Sequence, residues 1–263
     1  MTTPFEPHRF RTSAEYYVRG RLDYPPRLIE RVVQLSGLTP KDAVLDLGCG
    51  PGFLVTAFSP YAAKVVGVDP EPAMLAMAEN YIRDHSAHVT LKQGSSYDLS
   101  PEWGTFHLIT MGRSFHWMDR PATLNSLTKI TTQNAVVALF GDTHINVPEN
   151  QWHKKFESIL EPFSERDPAH INRKKNSDWL QHEAVLLTSP FHRLERISVI
   201  QKIQTPIEQI VDRALSRSTT SPEKLGDDLP SLVEKLKTEL TPEAPHGFLT
   251  EVVEFKALLA FRT

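Results

Sequence analysis

Within five residues the chain places three glycines, Gly48, Gly50 and Gly52, and an acid, Asp46, stands two residues before the first of them. A second acid, Asp69, follows 21 residues after Gly48. Glycines let the backbone take positive φ and approach a ligand closely, and the N-terminus of a following helix offers unpaired N–H donors. Such a turn is a nucleotide-class site, and its spacing says more. The dinucleotide fingerprint G-x-G-x-x-G needs its third glycine at position 53, where Phe53 stands. Pyrophosphate gains nothing from the carboxylate of Asp46, whereas a cationic ammonium does. Asp69 suits two ribose hydroxyls, although an acid at that distance is also expected in dinucleotide sites. Asp46 and the missing glycine carry the distinction, toward a nucleotide joined to an amino acid moiety.

These residues must be held by strands and helices in alternation. Residues 43–47 form a short apolar run leading directly into the glycine turn, and 53–59 read as the helix after it. Residues 64–68 predict a second strand ending at Asp69. Pro70 and Pro72 then open a helix whose apolar face is Met74, Leu75, Ala78 and Ile82. Further strands are predicted over 88–93, 106–111 and 135–140, ending at Gly94, Gly112 and Gly141, with an earlier helix over 25–36. Five strands separated by helices imply a parallel sheet, because parallel pairing needs crossovers. Its carboxyl edge, marked by the glycines, is where open α/β sheets bind ligands.

The second half has a different texture, with no glycine between Asp142 and Leu225. Residues 152–160, 178–187 and 231–240 read as helices. Thr205-Pro-Ile-Glu208 is a capping-box pattern opening another, with Ile207, Ile210, Val211, Ala214 and Leu215 apolar. Alternation at Ile197, Val199 and Ile203, and at Val253, Phe255, Ala257, Leu259 and Phe261, predicts two late antiparallel strands. The expected fold is a single α/β domain over 1–263, a doubly wound Rossmann-like sheet of seven mostly parallel strands with a late antiparallel hairpin. Residues 1–142, 191–205 and 247–263 would make its core, and 143–190 with 206–246 a helical cap over the active site.

Composition narrows the function. The chain has 263 residues, with 29 Lys and Arg against 32 Asp and Glu, a formal charge of −3. Residues 1–150 carry 13 basic and 15 acidic side chains and the rest 16 and 17, so neither half offers a broad nucleic-acid or anionic-membrane footprint. A single Cys excludes an intrachain disulfide and fits a reducing compartment. No apolar run is long enough to span a membrane, and the first residues lack a signal-peptide core, so a cytoplasmic protein is expected. His85 and His88 have no third strong ligand nearby, which argues against a metal. Arg173-Lys-Lys175 reads as a solvated loop. No Asn-Pro-Pro-aromatic tetrapeptide of the amino-methylating DNA enzymes occurs.

Val44-Leu-Asp-Leu-Gly-Cys-Gly-Pro-Gly-Phe-Leu54 together with Val66-Gly-Val-Asp-Pro70 resembles the class I S-adenosylmethionine-dependent methyltransferases, and the likeness continues through about residue 141. Met111-Gly-Arg-Ser-Phe-His-Trp-Met-Asp119 is similar to the branch that methylates small molecules, the trans-aconitate-methyltransferase-like proteins. Tyr17-x-x-x-Arg21-Leu-Asp-Tyr24-Pro25 matches it too, with Leu22 where a proline is usual. The resemblance implies S-adenosylmethionine as cofactor and S-adenosylhomocysteine as product. It implies that Asp46 orients the methionine ammonium, and that Gly48, Cys49, Gly50 and Gly52 admit the methionine portion. Asp69 would hold the ribose diol, and Pro70 with Met74 would wall the adenine. Gly94, Ser95 and Ser96 stand where the family often has Gly-Asp facing the adenine amino group. Met111 and Gly112 would line the methionine arm, with Tyr17 and Arg21 closing over it.

A methyl on sulfonium is already activated, so a protein contributes mainly orientation, exclusion of water and proton removal. His116 is the candidate base, placed just past the fourth strand, against a packing role beside Trp117. A carboxylate acceptor would need no base, and Arg113 could then anchor an anion. The expected acceptor is a small molecule, and the protein a monomer or homodimer. The alternatives are an RNA or protein methyltransferase, and a cofactor-binding regulatory protein of the same fold without transfer activity.

Overall fold

The computed structural model describes residues 8–82, 88–175 and 177–263. His85, weighed above as a metal ligand, lies outside them, and among the described residues no group of three His, Cys, Asp or Glu is placed to hold a metal. No described helix is long and apolar enough to cross a membrane.

A short helix α1 (Ala14–Gly20), not expected from the sequence, precedes α2 (Pro26–Ser36). Helix α2 starts with proline at its first position and stops at Gly37 in the left-handed region, the usual asymmetry of helix ends. The nucleotide-class half follows in order: β1 (Ala43–Leu47), α3 (Phe53–Phe58), β2 (Lys64–Asp69), α4 (Pro72–Tyr81), β3 (Val89–Gln93), β4 (Phe106–Gly112), α5 (Arg120–Leu127) and β5 (Thr131–His144). Glu71 caps α4 and Asp119 caps α5, each side chain accepting a first-turn backbone N–H.

The second half begins with α6 (Gln151–Ser164), α7 (Pro168–Lys175) and α8 (His182–Leu187). After them come β6 (Arg193–Pro206), α9 (Ile207–Leu215), α10 (Pro222–Leu225), α11 (Leu229–Leu240) and β7 (Phe248–Phe261).

The seven strands form one sheet in the order β3-β2-β1-β4-β5-β7-β6. The first five pair in parallel, and β7 pairs antiparallel with both β5 and β6. One face packs on α2 and α3 through Leu28, Val32, Phe58, Val44, Phe140 and Phe255, and the other on α5 and α8 through Leu45, Val66, Phe106, Leu124 and Leu186. A third apolar cluster unites α6, α9 and α11, with Trp152, Phe156, Ile210, Ala214 and Leu236 at its centre. It joins the segments that interrupt the sheet sequence and meets the sheet at Leu249 of β7.

Four local expectations are corrected. Strand β5 runs to His144, so Gly141 lies within it rather than at its end. Helix α8 begins at His182, not 178, and residues 173–175 close α7 instead of forming a loop. Thr205 does not cap α9; it sits in β6, Pro206 precedes the helix, and the Thr205 hydroxyl donates across the sheet to Glu251.

Candidate functional site

The carboxyl edge of β1, β2 and β4 carries the residues singled out from the sequence. Gly48 and Gly50 turn the chain out of β1 with φ of 72° and 53°. A Cβ at Gly48 would stand 2.5 Å from Ser114 Cβ, so both conformation and space require glycine there. At Gly50 a Cβ would meet nothing closer than Met74 Sδ at 4.0 Å and would project into a cavity instead. The turn is fastened from both sides. Gly48 and Cys49 donate their N–H groups to Val68 O, and Gly50 donates to Asp69 Oδ2 at 2.8 Å.

Asp69 is buried, and its other oxygen accepts the Glu71 N–H at 2.9 Å. Two backbone bonds leave half of a carboxylate's accepting capacity for a ligand. Burial pushes Asp69 up to about 6, against the lowering effect of those N–H donors. Asp46 is buried deeper, and its one side-chain hydrogen bond among the described residues comes from Thr110 Oγ1 at 2.8 Å. Burial raises it to about 7, more than the Thr110 bond lowers it. Two under-compensated acids beside a glycine cradle suit a ligand that brings a cation and hydroxyl donors.

The cavity that Asp69 borders has a volume of about 110 Å³. Gly48, Gly50, Asp69, Pro70 and Met74 line it on the sheet side, with Ser95, Ser96 and Gly112 beside them and Tyr17 across. Of the other six cofactor candidates, Asp46, Cys49, Gly52, Gly94 and Met111 line neither this cavity nor the larger one beside it, and Arg21 lines only the larger. Burial drives the Cys49 thiol well above its usual range, so it is an inert small side chain. Ser95 spends its hydroxyl and its N–H on Asp98 Oδ2, which leaves Ser96 as the serine with an uncommitted hydroxyl among the described residues. The N-terminal segment closes the cavity from above. Arg9 lies over the Trp117 ring at 4.7 Å and pairs with buried Asp167 at 2.7 Å, which ties this segment to the start of α7.

A second cavity of about 850 Å³ adjoins the first, and Phe10, Tyr17, Arg113 and Trp117 line both. Its floor is the end of β5, and helices α6, α8 and α9 cover it through His153, His182 and Arg213. Arg21 and His116 face this larger space and not the small cavity. Arg21 donates from Nε to Ser216 Oγ at 2.8 Å and has no carboxylate within ion-pair distance among the described residues; burial pushes it down to about 10. Arg113, by contrast, is taken up by Asp142, with Nε 2.5 Å from Oδ1, and its guanidinium lies over the Tyr24 ring. His116 packs against Trp117 with ring centroids 4.6 Å apart.

One cluster was not found from the sequence. His144, at the end of β5, stacks on His153 of α6 at 3.9 Å and meets Glu251 of β7 at 2.6 Å, and Glu251 is in turn gripped by Arg213 of α9. The signal was present at one position. Glu251 falls on the inward register of the alternation through Val253, Phe255 and Ala257, and an inward acid must be paired.

Comparison with known proteins fits this geometry. Residues 44–159 match the methyltransferase domain family. The uncharacterized methyltransferase YcgJ of Bacillus subtilis is 24% identical over 172 residues, covering 65% of this chain and 66% of its own length. The uncharacterized methyltransferase C25B8.09 of Schizosaccharomyces pombe is 26% identical over 58% of this chain and 59% of itself. The matched stretches thus span less than two thirds of either relative. Among solved structures, a methyltransferase from Anaeromyxobacter dehalogenans aligns with a TM-score of 0.64 at 16% identity, over 92% of this chain and 97% of its own. A Geobacter sulfurreducens methyltransferase bound to S-adenosylhomocysteine aligns with a TM-score of 0.56 at 13% identity, over 98% and 99%.

Proposed function

We propose that this chain is a class I methyltransferase, a reading supported by its fold and by the methyltransferase-domain match over residues 44–159, and that it transfers the methyl group of S-adenosylmethionine to a small molecule. One observation carries the reading: the cavity beside the glycine turn and the large cavity under the cap helices share a wall of Phe10, Tyr17, Arg113 and Trp117. A cofactor in the first would present its methyl at that junction, to an acceptor in the second.

The residues present fit such a cofactor. Asp69 has accepting capacity for the ribose diol, Pro70 and Met74 offer an apolar wall for the adenine, and the open space at Gly50 takes the chain between them. Asp46, two residues before Gly48, would favour a cationic ammonium or sulfonium beside the turn. Arg21, with no carboxylate partner among the described residues, would be available to the carboxylate of the methionine arm. Bound there, the sulfonium supplies an activated methyl group, and the protein's task is to hold the acceptor in line and keep water out.

A volume of about 850 Å³ is that of a small-molecule pocket. Calorimetry tests the reading. S-adenosylhomocysteine should bind and NAD should not, and a panel of small molecules should yield S-adenosylhomocysteine when mixed with enzyme and S-adenosylmethionine. NAD binding in place of S-adenosylhomocysteine would overturn it.

A further inference from the structure

The large cavity holds more ionisable groups than methyl transfer needs, and most are already engaged. Asp142 is paired with Arg113, Glu157 with both guanidinium nitrogens of Arg217, and Glu183 with Arg196. His182 Nδ1 faces the Arg120 guanidinium at 3.2 Å. His153 is pushed down to about 4 by burial and by the neighbouring His144, which makes it neutral but a weak base.

His144 is placed differently. Its Nε2 lies 2.6 Å from Glu251 Oε2. Glu251 is fully buried, yet it receives two bonds from Arg213, at 2.6 and 2.9 Å, and another from the Thr205 hydroxyl. Burial opposes its charge, but His144, Arg213 and Thr205 together hold it well below the ordinary glutamate range. A carboxylate can only accept, so the His144 proton must sit on Nε2 and the lone pair on Nδ1. Among the described residues Nδ1 has no hydrogen-bond partner, and the ring lines the large cavity. A base with one nitrogen held by a buried carboxylate and the other open to a pocket is the arrangement that proton abstraction needs.

We propose that His144 is the proton acceptor of the transfer step and that Glu251 is the positioning residue that fixes its tautomer. This rests on the function proposed above and adds a substrate class. The acceptor presents a hydroxyl or an amine that still carries its proton, not an ionised carboxylate. As its lone pair forms the bond to the methyl carbon, the carbon–sulfur bond breaks and its electron pair goes to sulfur. The acceptor's proton passes to His144 Nδ1, and the imidazolium later yields it to water. The groups packed around the two stacked rings are Glu251, which pairs with His144 and Arg213, and Glu157, which pairs with His153 and Arg217.

Two measurements test the proposal. Long-range ¹H–¹⁵N spectra of the histidine-labelled protein loaded with S-adenosylhomocysteine should show His144 as the Nε2–H tautomer at neutral pH. The Nδ1–H tautomer would overturn it. A panel of small hydroxy acids, phenols and primary amines, read by S-adenosylhomocysteine release, should be methylated, and simple carboxylates should not. On whichever compound turns over, His144→Gln should lower kcat at least about a hundredfold and remove the rise of rate with pH. It should leave S-adenosylhomocysteine affinity and the melting midpoint unchanged. Turnover within about threefold of the parent, or methylation confined to carboxylates, would overturn the proposal. If no compound reacts, the tautomer decides. Failure to bind S-adenosylhomocysteine at all is a separate outcome and defeats the function proposed above instead.

Discussion

The backbone N–H of Gly50 donates to Asp69 Oδ2 at 2.8 Å, so the turn after β1 and the acid ending β2 form one hydrogen-bonded unit. Whatever the turn cradles is held by the same carboxylate that is expected to meet the ribose.

Asp69→Ala should therefore weaken S-adenosylhomocysteine binding by roughly tenfold to a hundredfold, the scale of a lost hydrogen bond to a charged group. Asp69→Asn keeps an oxygen for the Gly50 N–H and should lose less. Isothermal calorimetry on both variants gives the answer, and equal affinities for parent and Ala variant would remove Asp69 from the site.

Cofactor binding should release a proton. Burial lifts Asp46 to about 7 and Asp69 to about 6, both above their ordinary 3.8. A cation settling beside Asp46 favours its ionised form, so binding enthalpies at about pH 6.5 should depend on the buffer's own ionisation enthalpy, and at about pH 9 they should not. The ligand-free protein should show the linked effect. A raised folded-state value contributes stability that is full below the unfolded value and lost as pH rises through the folded one. Its melting temperature should fall from acid toward neutral pH on this account, and Thr110→Val, which removes the bond lowering Asp46, should shift that fall to higher pH.

The buried pair of Arg213 and Glu251 makes the opposite kind of statement. Arg213→Leu leaves Glu251 with only His144 and Thr205 for partners, and breaking such a pair from one side costs roughly 3–5 kcal/mol. Urea denaturation measures this directly. A change of about 1 kcal/mol or less would mean that the pair contributes no more than an exposed one.

Gly20→Ala should unseat α1. A Cβ there would stand 2.3 Å from Arg213 N and 2.5 Å from the Asp212 carbonyl carbon, both backbone atoms of α9 that cannot swing aside. Tyr17, within α1, lines both cavities, and Arg21 follows the helix into the large one. The variant should bind S-adenosylhomocysteine more weakly. It should also lose amide protection in α1 while the strands keep theirs, as hydrogen exchange would record. Unchanged protection in α1 would show that the two helices can separate without cost.

The parallel half of the sheet was legible because each strand is a short apolar run and each strand end bears a distinctive residue, Asp69, Gly94 or Gly112. Those signals are local. The second half was read correctly where alternation was clean, in β7, and poorly where the controlling contact was distant. Thr205 looked like a helix cap because Glu208 follows three residues later, but its hydroxyl is claimed by Glu251, 46 residues away across β6 and β7. The small cavity beside the glycine turn was likewise mostly visible, since most of its lining follows the carboxyl ends of β1, β2, β3 and β4. The cluster beside the large cavity was not: His144, His153, Arg213 and Glu251 come from four elements that only the sheet order and the packing of α6 and α9 bring together. Arg113 shows the limit from the other direction, a plausible anion anchor by position whose charge is spent on Asp142.

Sheet order also sets a timetable for synthesis. Strand β6 touches the rest of the sheet only through β7, which is translated 41 residues after β6 ends. The five parallel strands need no later residue to pair with one another, so the nucleotide-class half can close on the ribosome while β6 waits. The large cavity is finished last, because β7 adds Lys256 and Leu258 to its lining and Glu251 behind His144. A nascent chain stalled before Phe248 would hold a cofactor cradle without the carboxylate that His144 leans on.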